Sequence, residues 1–123
     1  MDTGERNKDY RFYIGFEGEK EIVITLPNVE YHIWDGYFED IFGNPMSLDS
    51  GWLGFTRDYN ECKNEFDDEC IECAILPEEY LIDLHLYDNQ TFTYPETGEL
   101  LELLINIMQE AERLQTSVLV RVN

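Results

Sequence analysis

The side chains through which this 123-residue chain could do chemistry are three cysteines, two histidines and 27 Asp and Glu. Cys70-Ile71-Glu72-Cys73 is a C-x-x-C, and Cys62 lies eight residues before it. A zinc site takes about four ligands, usually two such pairs or one pair with histidines. His32 and His85 are far apart in sequence and show no ligand spacing. A redox pair wants its first thiol at a helix N-terminus. CIECAIL instead alternates as a strand does, which points its two thiols to opposite faces. Structural cysteines are the favoured reading, and no metal or cofactor is expected.

Calcium is the next chemistry that dense carboxylates suggest. Asp58-Tyr59-Asn60-Glu61-Cys62 lacks both the third carboxylate and the glycine of an EF-hand loop. Asp67-Asp68-Glu69 could hold a cation only as any acidic cluster can. Ser47, Ser50 and Ser117 stand in no G-x-S-x-G elbow, and no Gly-rich phosphate loop occurs. With 27 acids present, no carboxylate pair stands out for glycoside chemistry. A Cys/His nucleophile has no local support either. The chain is read as a non-enzyme with no catalytic residues.

What remains is aromatic rings mixed with acids in loop-like stretches. Trp34–Asp40 is one such stretch, and Asp58–Glu61 continuing through Glu65–Glu69 is another. Rings supply anchors at an interface, and carboxylates receive Arg and Lys from a basic partner. On those grounds the candidate partner-binding residues are Asp35, Tyr37, Glu39, Asp40, Asp58, Tyr59, Glu61, Glu65, Asp67, Asp68 and Glu69. The competing view makes the rings core and the acids merely solvated, and it fits Phe38 and Phe66 well.

The formal charge of −19 favours the interface reading. It opposes nucleic acid and anionic membranes as ligands and favours a basic partner, steered in over long range. From Lys63 to Arg113 no Lys or Arg intervenes, while that interval holds fourteen Asp and Glu. Surface pairing cannot neutralise so many. Apolar content of 43%, with 14% aromatic, is globular rather than disordered. The length suits one domain over residues 1–123, with residues 1–9 loose. The N-terminus has no apolar h-region, no window suits a membrane span, and the cysteine number is odd. A reducing cytoplasm is expected.

The elements that must position these residues follow from periodicity. Glu96–Gln115 is the longest periodic stretch, with Leu100, Leu104, Ile107, Met108 and Ala111 on one helical face. Thr93 with Glu96 fits a capping box, and a start at Thr97 fits nearly as well. Before it, Pro77-Glu78-Glu79 opens a shorter helix to Asp88. Tyr10–Phe16, Glu21–Leu26 and Val29–Trp34 alternate as strands, the first two joined through Glu17-Gly18-Glu19, which suggests an antiparallel meander. Asp35–Pro45 has room for two helical turns. Trp52–Thr56 reads as a short strand, Arg57–Glu69 as a polar excursion, and Cys70–Leu76 and Ser117–Val122 as further strands. The expected fold is α+β: a mostly antiparallel sheet carrying one long C-terminal helix, one shorter helix packed on it, and a C-terminal strand paired inside the sheet.

The C-terminal half resembles immunity proteins of contact-dependent growth inhibition and related polymorphic toxin systems. The residues that carry this are Leu76-Pro77-Glu78-Glu79-Tyr80-Leu81, Asp83-Leu84, Tyr87, Phe92, Glu96-Thr97 and the long helix, with Trp52 and Gly54-Phe55 similar in character. The resemblance implies a small cytoplasmic α+β protein of bacteria that binds a cognate toxin domain, usually a nuclease, and covers its active site or an adjacent surface. It implies no catalytic residues. The alternatives are an acidic nucleic-acid mimic acting on a defence enzyme and a small Cys/His metal-binding protein.

Overall fold

The computed structural model describes residues 7–43, 45–46, 51–61 and 72–122, with the backbone alone at residues 61 and 72–74. In chain order the elements are β1 (Asn7–Phe12), β2 (Glu21–Leu26), β3 (Val29–Trp34), α1 (Asp35–Phe42), α2 (Gly54–Glu61), β4 (Glu72–Ile75), α3 (Pro77–His85), α4 (Thr97–Leu114) and β5 (Val118–Val122). The strands form a five-stranded sheet in the order β1-β3-β2-β5-β4. Three of its four pairings are antiparallel, and β1 lies parallel to β3. The fold is α+β, and the long C-terminal helix and inward-paired C-terminal strand are both present.

Register divides the sheet into two faces. Ile22, Ile24 and Leu26 stand opposite Ile33, Tyr31 and Val29. Ile22 and Ile24 also pair with Val122 and Val120, and Ile75 with Val118. Because side chains alternate along a strand, this set shares one face. That face packs under the helices, whose contribution includes Phe38, Phe42, Phe55, Tyr87 and the stripe of α4. Leu100, Leu104, Ile107, Met108 and Ala111 are all essentially inaccessible. Each such Leu or Ile contributes roughly 1.5–3 kcal/mol over an exposed one. The other face carries Glu21, Val23, Thr25, Glu30, His32 and Arg121. There the His32 ring nitrogens meet the Glu21 and Glu30 carboxylates, and Tyr10 stacks on the ring at 4.4 Å.

Several local readings differ from the sequence expectation. The first strand stops at Phe12 rather than Phe16, and a run of turns closes over it through Tyr13 N–H to Tyr10 O at 2.8 Å and Phe16 N–H to Tyr13 O at 3.0 Å. This connection to β2 steps across the width of β3, about 10 Å for two strand spacings. A hairpin, and hence a meander, is thereby excluded. Trp52–Thr56 is not a strand and the excursion expected over Arg57–Glu69 begins as helix, because Gly54 opens α2, which runs to Glu61; the helix from Pro77 ends at His85 rather than Asp88. Thr93 is not the cap of the long helix: α4 starts at Thr97 after Glu96. Of the terminus expected to be loose, residues 1–6 lie outside the described residues, and Asn7–Asp9 begin β1.

At its other end α4 finishes as a helix should. Gln115 adopts φ 55° and donates to Ala111 and Glu112, and Thr116 N–H returns to Ala111 O at 3.0 Å. Arg113 pairs with Glu110 at the negative end of the helix.

Candidate partner-binding face

The predicted interface residues separate onto two helices. Asp35, Tyr37, Glu39 and Asp40 belong to α1, whereas Asp58, Tyr59 and Glu61 belong to α2. Glu65, Asp67, Asp68 and Glu69 lie outside the described residues, as do Cys62 and Cys70.

On α1 the rings organise the acids. Tyr37 is buried at 7% exposure, the hub of a cluster rather than a surface anchor. It meets Trp34, Phe16, Tyr94 and Phe12 edge-on, at centroid distances of 5.2, 5.8, 5.8 and 6.0 Å. Burial, with Glu96 close by, pushes its hydroxyl above the ordinary tyrosine range. Trp34 stacks on Phe16 at 3.9 Å with only 5° between the planes, and its Nε1 donates to Glu19 Oε1 at 3.0 Å. A Cβ at position 36 would lie 2.3 Å from Trp34 Cη2, so Gly36 is what lets the indole lie against the start of α1.

Asp40 ties this helix to the beginning of α4. Its Oδ1 accepts Thr93 N–H at 2.9 Å, and its Oδ2 accepts Tyr94 N–H at 2.9 Å and the Thr97 hydroxyl at 2.6 Å. Although partial burial works the other way, these donors hold its carboxyl below the usual aspartate range. Gly36, Glu39, Asp40, Thr93 and Tyr94 line a cleft of about 220 Å³. Tyr94 is 39% exposed and meets Trp34 at 5.5 Å, and the exposed carboxylates of Glu39 in the same cleft, Glu19 on the Trp34 indole and Glu96 near Tyr37 stand around it. The outcome is a half-covered aromatic cluster with a rim of carboxylates. Nothing in the sequence pattern singles out Glu19 or Glu96. Glu17-Gly18-Glu19 reads as a connection, and only its proximity to Phe16 hints otherwise.

On α2 Asp58 is used internally. Asp58 accepts the Tyr80 hydroxyl and sits 3.3 Å from Arg57, which reaches Glu79 at 2.9 Å. Tyr59 is half-buried against the core, and Glu61 closes the helix. Below them Asp83 of α3 is wholly buried. It accepts Thr56 N–H at 3.1 Å and the Thr56 hydroxyl at 2.5 Å, and that hydroxyl shares a 2.7 Å hydrogen bond with Tyr87. Glu79 accepts Gly54 N–H at 2.9 Å. The first N–H groups of α2 therefore find their acceptors on α3, in place of a local cap. Gly54 has φ +52°, and a Cβ there would meet Asp83 Cβ at 3.0 Å. Desolvation pushes the Asp83 carboxyl up to about 6, against the hydrogen bonds from Thr56. Burial and the hydrogen bond to Asp58 likewise raise the Tyr80 hydroxyl.

Among the described residues no three His, Cys, Asp or Glu side chains are placed to hold a metal ion, and no helix is long and apolar enough to cross a membrane. His85 pairs with Asp88 at 3.0 Å on the surface. No family model matches the chain, and neither a curated protein nor a solved structure matches it.

Proposed function

We propose that this protein is a stoichiometric binding protein: an immunity protein that neutralises a basic toxin domain, a nuclease in the favoured case, by covering its active site or an adjacent surface. The observation that carries the reading is the α1 corner, where exposed Tyr94 sits beside the Trp34–Phe16 stack with the carboxylates of Glu19, Glu39 and Glu96 around it. Rings anchored in this way contribute contact area at little entropic cost. Carboxylates around them take Arg and Lys and speed encounter with a cationic surface. A chain of formal charge −19 supplies the long-range field. The cytoplasm is the compartment in which such a protein would meet an incoming toxin.

The test is capture from extract of the native host at low and moderate salt, with mass spectrometry and stoichiometry of what is retained. One basic protein held at 1:1 is the expected result. Glu39→Lys with Glu96→Lys should lower its affinity by about tenfold or more, as loss of paired interface charges does. Charge reversal at Asp67, Asp68 and Glu69 examines the second predicted patch in the same assay. Scattered basic proteins that all wash off with salt would overturn the reading.

A further inference from the structure

A second feature lies away from the α1 corner. Between α2 and the start of α3 a predominantly apolar groove of about 620 Å³ opens, floored by Leu53 and Tyr80, flanked by Leu76 and Ile82, and edged by Glu78 and Glu79. Leu76 is 72% exposed and Ile82 49%. Leu76 also occupies the N-cap of α3, in extended geometry (φ −95°, ψ 138°) and with no side-chain capping hydrogen bond. Ser, Thr, Asp or Asn is the ordinary choice there, because its oxygen accepts an orphan helix N–H. Leucine forgoes that bond and places a bare aliphatic chain in water. Both choices work against stability, and both present an apolar side chain at one spot.

The chemistry of what would cover it follows from charge. A second copy of this chain would bring another formal −19 to the contact, and an anionic lipid surface would be repelled in the same way. The side of the groove formed by residues 75–82 falls within the cation-free interval from residue 64 to residue 112, whereas Leu53 and Arg57 precede it. Arg57, which itself lines the groove, is engaged by Glu79 at 2.9 Å and Asp58 at 3.3 Å. We infer that this groove docks a segment of a basic protein in which an apolar side chain is flanked by Lys or Arg, the apolar group seated against Leu76 and Ile82 and a cation on Glu78, Glu79 being held by Arg57 and Gly54. The inference rests on the proposed basic partner and gives it a second, apolar point of attachment.

A heteronuclear NMR titration with three synthetic hexapeptides tests it directly. The probes are acetyl-Lys-Arg-Leu-Leu-Arg-Lys-amide, its Ser-Ser counterpart, and a Glu-flanked Leu-Leu peptide. The first should shift the amides of Leu76, Glu78 and Ile82 with a Kd of about 1 mM or tighter, and the other two should bind at least about fivefold more weakly. Leu76→Ser supplies a capping hydroxyl, so the variant should keep its fold and melting temperature while losing about fivefold in peptide affinity. Ile82→Ser is the independent second variant. Equal binding of all three peptides, shifts confined to the Trp34 and Tyr94 corner, no shift at about 2 mM, or full affinity in both variants would overturn the inference. Failure to capture a basic protein from extract overturns the functional reading instead. A captured partner that binds Leu76→Ser unchanged overturns only the groove.

Discussion

Asp40 and Asp83 do the same local task in opposite surroundings. Each is an aspartate on one helix whose carboxylate satisfies the entry of another: Asp40 of α1 serves Thr93, Tyr94 and Thr97 before α4, and Asp83 of α3 serves Thr56 at the start of α2. Asp40 is half-exposed and its carboxyl is held low, whereas Asp83 is wholly buried and its carboxyl rises to about 6. Donors alone do not decide the sign. Lost hydration outweighs hydrogen bonds in the interior and yields to them at the surface. The lesson for function is that Asp58, Glu79 and Asp83 are consumed in holding α2 and α3 together. The α1 corner keeps carboxylates in water, where a partner can reach them.

The sharpest break in this comparison is Thr56→Val, which removes a donor from buried Asp83 and a partner from Tyr87. It should cost about 3 kcal/mol in denaturant unfolding, and a change under about 1 kcal/mol would mean that the interior pair is not the pin described here.

Acid should act on the two sites in opposite directions. Asp83 has a folded-state carboxyl at about 6, above its unfolded value of 3.8. Between those values the native state therefore holds a proton that the unfolded state has released, so stability from this site falls as pH rises from about 4 to about 6. The stability difference between wild type and Asp83→Asn, followed across that window, isolates the effect from the general charge of the chain. A flat difference would remove the assignment. Asp40 is depressed, so its contribution is present above pH 3.8 and is lost as pH falls through its lower folded value.

Asp40→Ala should cost about 1 kcal/mol at neutral pH, the scale of a lost helix cap, and should loosen the start of α4 in hydrogen exchange. Glu39→Lys should change stability by less than about 0.5 kcal/mol, because exposed charges contribute little. A larger loss there would make the corner a structural device like its buried counterpart, and so erase the contrast.

The helical stripe of α4 was readable because its period repeats over eighteen residues with acids on the opposite side. The alternation of β5 and the Pro-Glu-Glu start of the Pro77 helix are local signals too, although Ile82–Leu86 has strand-like character and the helix stops at His85 rather than Asp88. The helix α2 was not readable. Trp52–Thr56 carries two bulky rings and a Thr, a strand-like composition, and what turns it into a helix is acceptors 25 and 27 residues downstream on Glu79 and Asp83. Asp40 was chosen from sequence as a surface acid beside aromatics. Its position was legible, but its hydrogen bonds to residues more than fifty positions away were not. Tyr37 shows the converse: one position in a ring-and-acid stretch cannot declare which rings will face inward.

The parallel seating of β1 has a consequence for the order in which the chain assembles. The β2–β3 hairpin needs only the short Pro27-Asn28 connection, so it can close early at small entropic cost. β1 gains a neighbour only after β3 has been laid down beside β2, because its sole described pairing is with β3. It is thus the last strand to join on that side and the first able to leave, its departure exposing β3 and withdrawing Phe12 from Tyr37. Its amides should exchange through a low-energy opening, well before those of β2 and β5 at the centre of the sheet.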